Sequence, residues 1–336
     1  LIYDRMGIET TAALNPLYIP TGDVKPDPQF TGDMKQSRLM FMSKYRSDKL
    51  GELVGYIEGD FYGVGAAGFR LRHAYVKANK LLLGQYWSAF TIPWVWPNVA
   101  DFDGPPTGIW KRMPQIRFTQ KISDRCEFAI SLETSHPEYT RVVDSLIVID
   151  PKQNIPNFAG QFVKEWSNSK VALSGIYRNI RYMDTDSAFR YFTGYGLAFS
   201  FMHTFKNRDL AICQIAGGEG IASYVSSFGG MGFEMIVFQN GSKGLIPTWG
   251  GYVSYQHFWG DSEFSSNLLL GWAVFNNKWF KEYKDSFYGT SSSMNICWTP
   301  LENIVSFVEL QYGTHTDIQG KKGAAFRIML TAEYSF

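Results

Sequence analysis

The stretch Phe69-Arg70-Leu71-Arg72-His73-Ala74-Tyr75 alternates apolar and charged residues, as a strand does when its two faces meet different surroundings. A short apolar run follows at 81–87, and a second alternating run, Gln115-Ile116-Arg117-Phe118-Thr119, lies further on. Between them, residues 88–113 form an irregular segment with four prolines and three tryptophans. Loops of this length are usually functional or disordered, and this aromatic content argues against disorder. The pattern predicts the wall of a large barrel with residues 88–113 folded into its interior.

The composition excludes several classes of protein. The 336 residues carry 32 Lys and Arg against 31 Asp and Glu, a balance that does not suit a nucleic-acid binder. The three cysteines are far apart and suggest neither a disulfide framework nor a metal site. No apolar run approaches the roughly 20 residues of a transmembrane helix. No signal segment opens the chain, from which we expect a mature or trimmed form.

The chain in order reads as about eight hairpins, each made of two alternating runs of about ten residues joined by a short polar turn. The first pairs residues 5–15 with 35–45, and the later turns include 47–49 and 79–80. Longer connections fall near 16–33, 88–113, 136–157 and 218–247. Short turns on one side and long loops on the other are typical of outer-membrane barrels. The prediction is an all-β fold: one transmembrane antiparallel β-barrel of about 16 strands, residues 1–336, with a constriction loop at about 88–113.

The last eleven residues, 326–336, separate into two faces. The even positions are Phe, Ile, Leu, Ala, Tyr and Phe, and the odd ones are Arg, Met, Thr, Glu and Ser. Such a division suits a strand between lipid and lumen, with aromatic residues near its ends. The alternative is a half-buried strand of a soluble sandwich, which would require a second layer for all the hairpins.

The same alternation predicts which side chains line the pore. The apolar residues that alternate with the polar ones are assigned to lipid, because an arginine or lysine there costs roughly 2–4 kcal/mol at the bilayer midplane. They are Leu39, Phe41, Ile57, Phe61, Leu71, Tyr75, Ile116 and Phe118. Two readings stay open for the arginines: they meet a solute, or they are neutralised by the neighbouring carboxylates. The expected pore-lining residues are Arg38, Glu58, Asp60, Arg70, Arg72, Gln85 and Arg117 from the strands, and Asp101, Asp103, Lys111 and Arg112 from the loop.

No motif indicates an enzyme or a bound cofactor. Residues 63–68 match the letters G-x-G-x-x-G, but a strand rather than a helix is expected to follow, so a dinucleotide site is rejected. The five histidines are scattered singly, and no spacing places a base beside a nucleophile. We expect no catalytic residues, no metal and no cofactor.

Several segments together carry a resemblance to a known family: Lys35–Arg38, Tyr56–Gly63, Phe69–Tyr75, Leu83–Ser88, Asp101–Pro105, Pro114–Thr119, Gly250–Trp259 and Tyr334–Phe336. In these segments, and most specifically in its first third, the sequence resembles the DcaP-like family of bacterial outer-membrane porins. The resemblance implies a trimer of sixteen-stranded barrels, an inward-folded third loop and passive uptake of small anions such as dicarboxylates.

These observations lead to one functional expectation and two alternatives. We expect a homotrimeric porin of the bacterial outer membrane, in contact with lipid, whose partners are small anionic solutes. Asp101 and Asp103 would oppose anions if they faced the lumen. One alternative is a weakly selective general or sugar-conducting porin, in which tryptophans and tyrosines stack on sugar rings. The other is an outer-membrane β-barrel enzyme with a filled interior.

Overall fold

The computed structural model describes residues 1–5, 14–24, 27–65, 68–134, 137–141, 154–183, 188–237, 243–275, 287–317 and 319–336. Strands dominate these residues, and the only helices are four single 3₁₀ turns among them. Within the described ranges, no helix is long and apolar enough to cross a membrane. The predicted all-β class is confirmed.

The described residues contain twenty strands. They are β1 Ile2–Asp4, β2 Gln29–Thr31, β3 Leu39–Ser47, β4 Gly51–Gly63, β5 Gly68–Ala78, β6 Leu81–Trp87, β7 Arg112–Ser123, β8 Cys126–Glu133, β9 Tyr139–Arg141, β10 Asn157–Glu165, β11 Ser169–Met183, β12 Phe189–Thr204, β13 Leu210–Glu219, β14 Met235–Val237, β15 Lys243–Leu245, β16 Pro247–Phe258, β17 Phe264–Phe275, β18 Phe287–Leu301, β19 Ile304–Thr316 and β20 Lys322–Tyr334.

Seventeen of these strands form one antiparallel sheet. Its pairings run from β3 through β4 to β8, then through β10 to β13 and β16 to β20, and end with β1 and β2. The turns predicted at 47–49 and 79–80 lie between β3 and β4 and between β5 and β6. The predicted first strand, 5–15, lies mostly outside the described residues, and Asn15 instead caps a 3₁₀ turn at Pro16–Tyr18. Strands β9, β14 and β15 form a separate small sheet.

The large sheet has two different faces. On β12, Tyr195 and Leu197 are exposed, whereas Ala198 and Ser200, at the alternate positions, are buried. The buried side is the inner face, because three segments pack on it: residues 14–20, 88–111 and 221–234. The opposite, outer face consists mainly of exposed apolar side chains. This division follows directly from the period of two along each strand.

The last strand has the register that the sequence predicts. Leu330 is 48% exposed on the outer face, while Arg327 and Met329 are buried on the inner face. Strand β20 pairs with β19 through thirteen residues and with β1 through three. Leu330 and the other outer residues of β20 therefore face the surroundings of the sheet, whereas Arg327 and Met329 face the packed side.

Placing an arginine on the outer face of β20 should impair assembly. We expect Leu330→Arg to reduce the fraction of chain that folds into lipid vesicles, because the charge costs roughly 2–4 kcal/mol near the bilayer midplane. Thr331→Arg, one residue along on the inner side, should fold nearly normally. The measurement is the heat-sensitive compact band on a detergent gel after refolding into vesicles. Equal yields for both variants would show that this face does not meet lipid.

Candidate functional site

A buried group of ion pairs lies on the inner face where β4 meets β5. Asp60 is fully buried and accepts hydrogen bonds from Arg70 Nε at 2.9 Å and Arg70 Nη2 at 2.7 Å. It also accepts one from Arg72 Nη1 at 2.9 Å, while Arg72 Nε donates to Glu58 at 2.7 Å. The structure therefore pairs both arginines with the two carboxylates, which is the second of the two readings that the sequence left open.

The tip of the 88–111 loop reaches this group through Phe102. The Phe102 ring lies 4.5 Å from Arg38 Cζ and 4.9 Å from Arg72 Cζ, both distances being to the ring centroid. It also stacks on Tyr62, with the two rings 5.3 Å apart. Contacts of this kind between a guanidinium group and a ring are attractive. The loop thus holds an aromatic ring against the charged wall, a contact that nothing in the local sequence indicates.

Two further arginines, Arg38 and Arg112, lie near the ion pairs of Arg70 and Arg72. Arg38 is exposed, and no carboxylate of the described residues lies within 4.0 Å of it. Arg112, the first residue of β7, lies over Trp87 at 4.6 Å, and its Nη1 has no hydrogen-bond partner within the described residues. Asp103 lies close enough to attract both Arg70 and Arg112. Four guanidinium groups therefore face the carboxylates of Glu58, Asp60 and Asp103, and Glu333 also attracts Arg38.

A group of aromatic rings adjoins the arginines on the inner face. Tyr56 and Tyr75 stack with their rings 5.1 Å apart, and Tyr86 meets Tyr75 edge-on at 5.1 Å. His73 lies 5.2 Å from Tyr86 and 5.4 Å from Trp87. This row of rings leads from the ion pairs toward the tryptophans of the loop, where Trp96 and Trp110 lie 4.5 Å apart.

The position of Tyr75 corrects the sequence-based expectation that this residue faces lipid. Tyr75 pairs directly with Tyr56, on the side that carries Glu58. The reason is a bulge: the register between β4 and β5 shifts after Glu58, so that Arg72 is the extra residue. The adjacent polar pair Arg72-His73 breaks the alternation and is the signal that could have revealed it.

Several predicted residues lie apart from this group. Arg117 is 8% exposed and shares the inner face with Leu82, its partner in the register. Gln85 donates from Nε2 to the carbonyl groups of Leu71 and Arg72, which it joins across the bulge. Lys111 forms an ion pair with Glu138 at 3.8 Å.

Asp101 also lies apart, although it is only two residues from Asp103. It is 5% exposed and accepts hydrogen bonds at Oδ2 from Leu14 N and Gln311 Nε2, each at 3.2 Å. Burial, reinforced by the charge of Asp103, raises the pKa of the Asp101 carboxyl to about 7. This group fastens the loop to the wall and does not face the arginines.

Two lysines that the sequence patterns did not single out extend the basic character of the inner face toward the short turns. Lys44 and Lys77 both pair with Val54 from opposite sides, which places all three on one face. Both lysines are exposed, because the inserted segments leave this part of the inner face open. The unbroken alternation after the bulge, Tyr75 then Lys77, could have identified the second of them.

No family model and no curated protein sequence matches this chain. Among solved structures, it is similar to the outer membrane channel DcaP of Acinetobacter baumannii, with a TM-score of 0.84 and 20% identity over 100% of this chain and 94% of that one. It is also similar to the anion-selective porin from Comamonas acidovorans, with a TM-score of 0.62 and 10% identity over 100% and 96% of the two chains. A third similar structure is OmpT, an outer membrane protein of Vibrio cholerae, with a TM-score of 0.59 and 11% identity over 94% and 93%. The fold is therefore that of bacterial outer-membrane channels, as the resemblance to DcaP-like porins implied.

Proposed function

We propose that this chain is a DcaP-like porin of the bacterial outer membrane, a homotrimer of barrels that lets small anionic solutes diffuse through a water-filled lumen. The inner face lines the lumen, and residues 88–111 narrow it. The outer face, mainly apolar, meets lipid. A structure of OmpT of Vibrio cholerae is described as its trimer form, which supports a trimer here by analogy.

The observation that carries the anion preference is the group of arginines near Phe102: Arg38, Arg70, Arg72 and Arg112. Arg70 and Arg72 are paired with carboxylates there, whereas Arg38 is exposed without a carboxylate within 4.0 Å among the described residues. Charged rings at a constriction select ions by their field at close range. Lys44 and Lys77 continue the positive field beyond the aromatic rings. An anion would therefore meet positive groups on both sides of the narrowest part.

The aromatic row favours the second candidate, a weakly selective or sugar-conducting porin. Tyr56, Tyr75 and Tyr86 present ring faces and edges beside the open part of the inner face. Sugar rings can stack on such groups without any charge. The two functions differ in whether net charge or ring shape governs passage. One further expectation from the sequence, that residues 1–336 form a single channel domain, stays a prediction.

The reversal potential of the purified protein in a planar bilayer, measured under a potassium chloride gradient, tests the proposal. We expect the sign that corresponds to chloride passing faster than potassium, and a preference that weakens as screening by salt increases. A liposome-swelling assay should show that small dicarboxylates enter faster than neutral sugars of similar size. A cation preference would contradict the proposed selectivity, and sugars entering fastest would favour the second candidate. A protein that passes no solute at all would favour a filled barrel.

A further inference from the structure

The inserted segments cover only part of the inner face. Along β10 to β13, four alanines of that face are at most 5% exposed, because residues 88–111 and 221–234 pack on them. They are Ala159, Ala172, Ala198 and Ala216. On β3, by contrast, residues 39–46 are exposed on both faces of the strand. The open part of the inner face therefore lies along β3 and its neighbours β4 and β5.

Two methionines lie on this open part, where a water-filled lumen usually has polar side chains. Met40 pairs with Glu58 and Met42 pairs with Tyr56, and directly paired residues share one face of a sheet. The Tyr56 hydroxyl lies 3.0 Å from Met40 Sδ, which places Met40 on the inner face. The two methionines are 63% and 48% exposed. Adjoining exposed apolar side chains commonly mark a binding surface.

Side chains of β4 and β5 extend the two methionines into a continuous surface. Val54 and Tyr56 follow one another on the inner side of β4, opposite Lys44 and Met42. Tyr75 of β5 stacks on Tyr56 with the ring centroids 5.1 Å apart. Val54, Tyr56 and Tyr75 are half-buried, so each still presents part of its surface to the lumen. Together these residues form what we term the apolar band: Met40, Met42, Val54, Tyr56 and Tyr75.

Positive groups border the apolar band at both ends. Arg38 precedes it by two residues, and Lys44 follows it on β3 by two residues, about 7 Å along the strand. Lys77 of β5 lies beside the same end as Lys44. Within the described part of the chain, no carboxylate lies within 4.0 Å of these three side chains. The acidic neighbour of the band, Glu58, is paired with Arg72 at 2.7 Å. An anion held at either end therefore has an apolar surface beside it.

We propose that the apolar band makes the channel favour organic anions with an apolar body over small hydrophilic anions of equal charge. Lys44 or Lys77 holds the anionic group, and the hydrocarbon part of the solute lies across Met42 toward Tyr56. Methionine suits this role because its unbranched, polarizable side chain adapts to many apolar shapes. Each methylene group that is fully removed from water strengthens binding by about fourfold. Met40 and Met42 are thus specificity-determining residues of the channel.

The rival account is that the apolar band only completes the wall, while charge and size alone govern passage. A larger anion would then bind no more tightly than a small one of the same charge. Contact with the band predicts the opposite order, because a longer hydrocarbon chain removes more apolar surface from water. The two accounts therefore differ in how the length of the hydrocarbon chain changes binding at constant charge.

The test compares methanesulfonate and hexanesulfonate on the full chain in a planar bilayer. Both stay ionised at neutral pH, so neither crosses the lipid as a neutral molecule. Each is added to potassium chloride, and the concentration that halves the channel current is measured. We expect hexanesulfonate to halve the current at a concentration at least about tenfold lower than methanesulfonate, because its chain leaves water at the apolar band. Met42→Gln, which keeps the length of the side chain but makes it polar, should raise the hexanesulfonate concentration by about fourfold.

Three further variants control this measurement. Met40→Gln, at the other end of the band, should act in the same direction, which keeps the test valid if Met42→Gln does not assemble. Met42→Leu retains an apolar side chain and should be inhibited by hexanesulfonate as the original chain is. Met34→Gln is the matched control, because Met34 is 82% exposed in the segment before β3 and lies outside the band. Its replacement should leave the inhibition unchanged.

The preference for apolar anions rests on the anion channel proposed above, but the two can fail separately. Equal inhibition by the two sulfonates, in a channel whose reversal potential shows an anion preference, would overturn the role of the apolar band and leave the proposed function intact. The same would follow if hexanesulfonate inhibited Met40→Gln and Met42→Gln at the concentration that inhibits the original chain. A reversal potential of the opposite sign would overturn the proposed function, and the preference among anions with it.

Discussion

Asp60→Asn is expected to destabilise the folded chain by about 3–5 kcal/mol, the usual cost of removing one partner from a buried ion pair. Asp60 is fully buried and is the acceptor shared by Arg70 and Arg72. The asparagine has nearly the same shape, but its neutral amide leaves Arg72, whose side chain is 5% exposed, with Glu58 as its carboxylate partner. The measurement is the temperature at which the compact gel band is lost, together with the yield of refolded protein.

The same substitution should strengthen the preference for anions, although it weakens the fold. Removing one carboxylate leaves less negative charge beside the four guanidinium groups, so the channel that does assemble should prefer anions more strongly. Asp124→Asn, an exposed change in the turn between β7 and β8, is the control and should alter neither property. If Asp60→Asn melts like the original chain, then these ion pairs do not hold the wall together.

Arg38→Glu is expected to remove most of the anion preference while leaving the fold intact. Arg38 is exposed and contacts Phe102 without a carboxylate within 4.0 Å among the described residues, so its loss breaks no ion pair there. The change reverses two units of charge at the constriction. At about 7 Å in water, that raises the energy of a monovalent anion by about 1.2 kcal/mol and lowers that of a cation by the same amount, a fall of up to about fiftyfold in the anion-to-cation permeability ratio. The ratio is read from the reversal potential in dilute salt.

Two controls accompany this measurement. Arg38→Lys keeps the charge and should retain the preference, although the contact with the Phe102 ring would weaken. Arg208→Glu reverses a charge in the exposed turn between β12 and β13 and should have little effect. The difference between Arg38→Glu and the original chain should shrink near about 1 M salt, where the Debye length is about 3 Å. An unchanged ratio would mean that other groups set the field.

The two predictions differ because Arg70 and Arg72 form ion pairs with carboxylates, whereas no carboxylate of the described residues lies within 4.0 Å of Arg38. Arg70 and Arg72 are grouped with Arg38 by the sequence pattern, because the wall arginines share the polar side of their strands. In the structure, Arg70 and Arg72 donate their hydrogen bonds to Asp60 and Glu58, whereas Arg38 contacts the Phe102 ring. The paired arginines therefore govern stability first, and Arg38 governs the field that a solute meets.

Local patterns in the sequence determined the class of fold, the position of nearly every hairpin and the extent of the long loop. The predicted loop, 88–113, differs from the segment between β6 and β7 by two residues at one end only. Such features depend on alternation, turn residues and prolines, all of which act over a few neighbours. For the same reason, alternation alone suffices to assign the outer and inner faces of β20.

The tertiary structure alone decided what the charged side chains contact. Asp101 and Asp103 are two residues apart in one loop, yet the first is buried against Gln311 of β19 and the second attracts arginines. Phe102 between them meets Arg38 and Arg72, which are remote in sequence. These contacts form when the loop folds across the inner face, and the bulge at Arg72 sets which side chains of β5 it meets. A period of two specifies the face on which a residue lies, but partners across the interior depend on long-range packing, which no local pattern encodes.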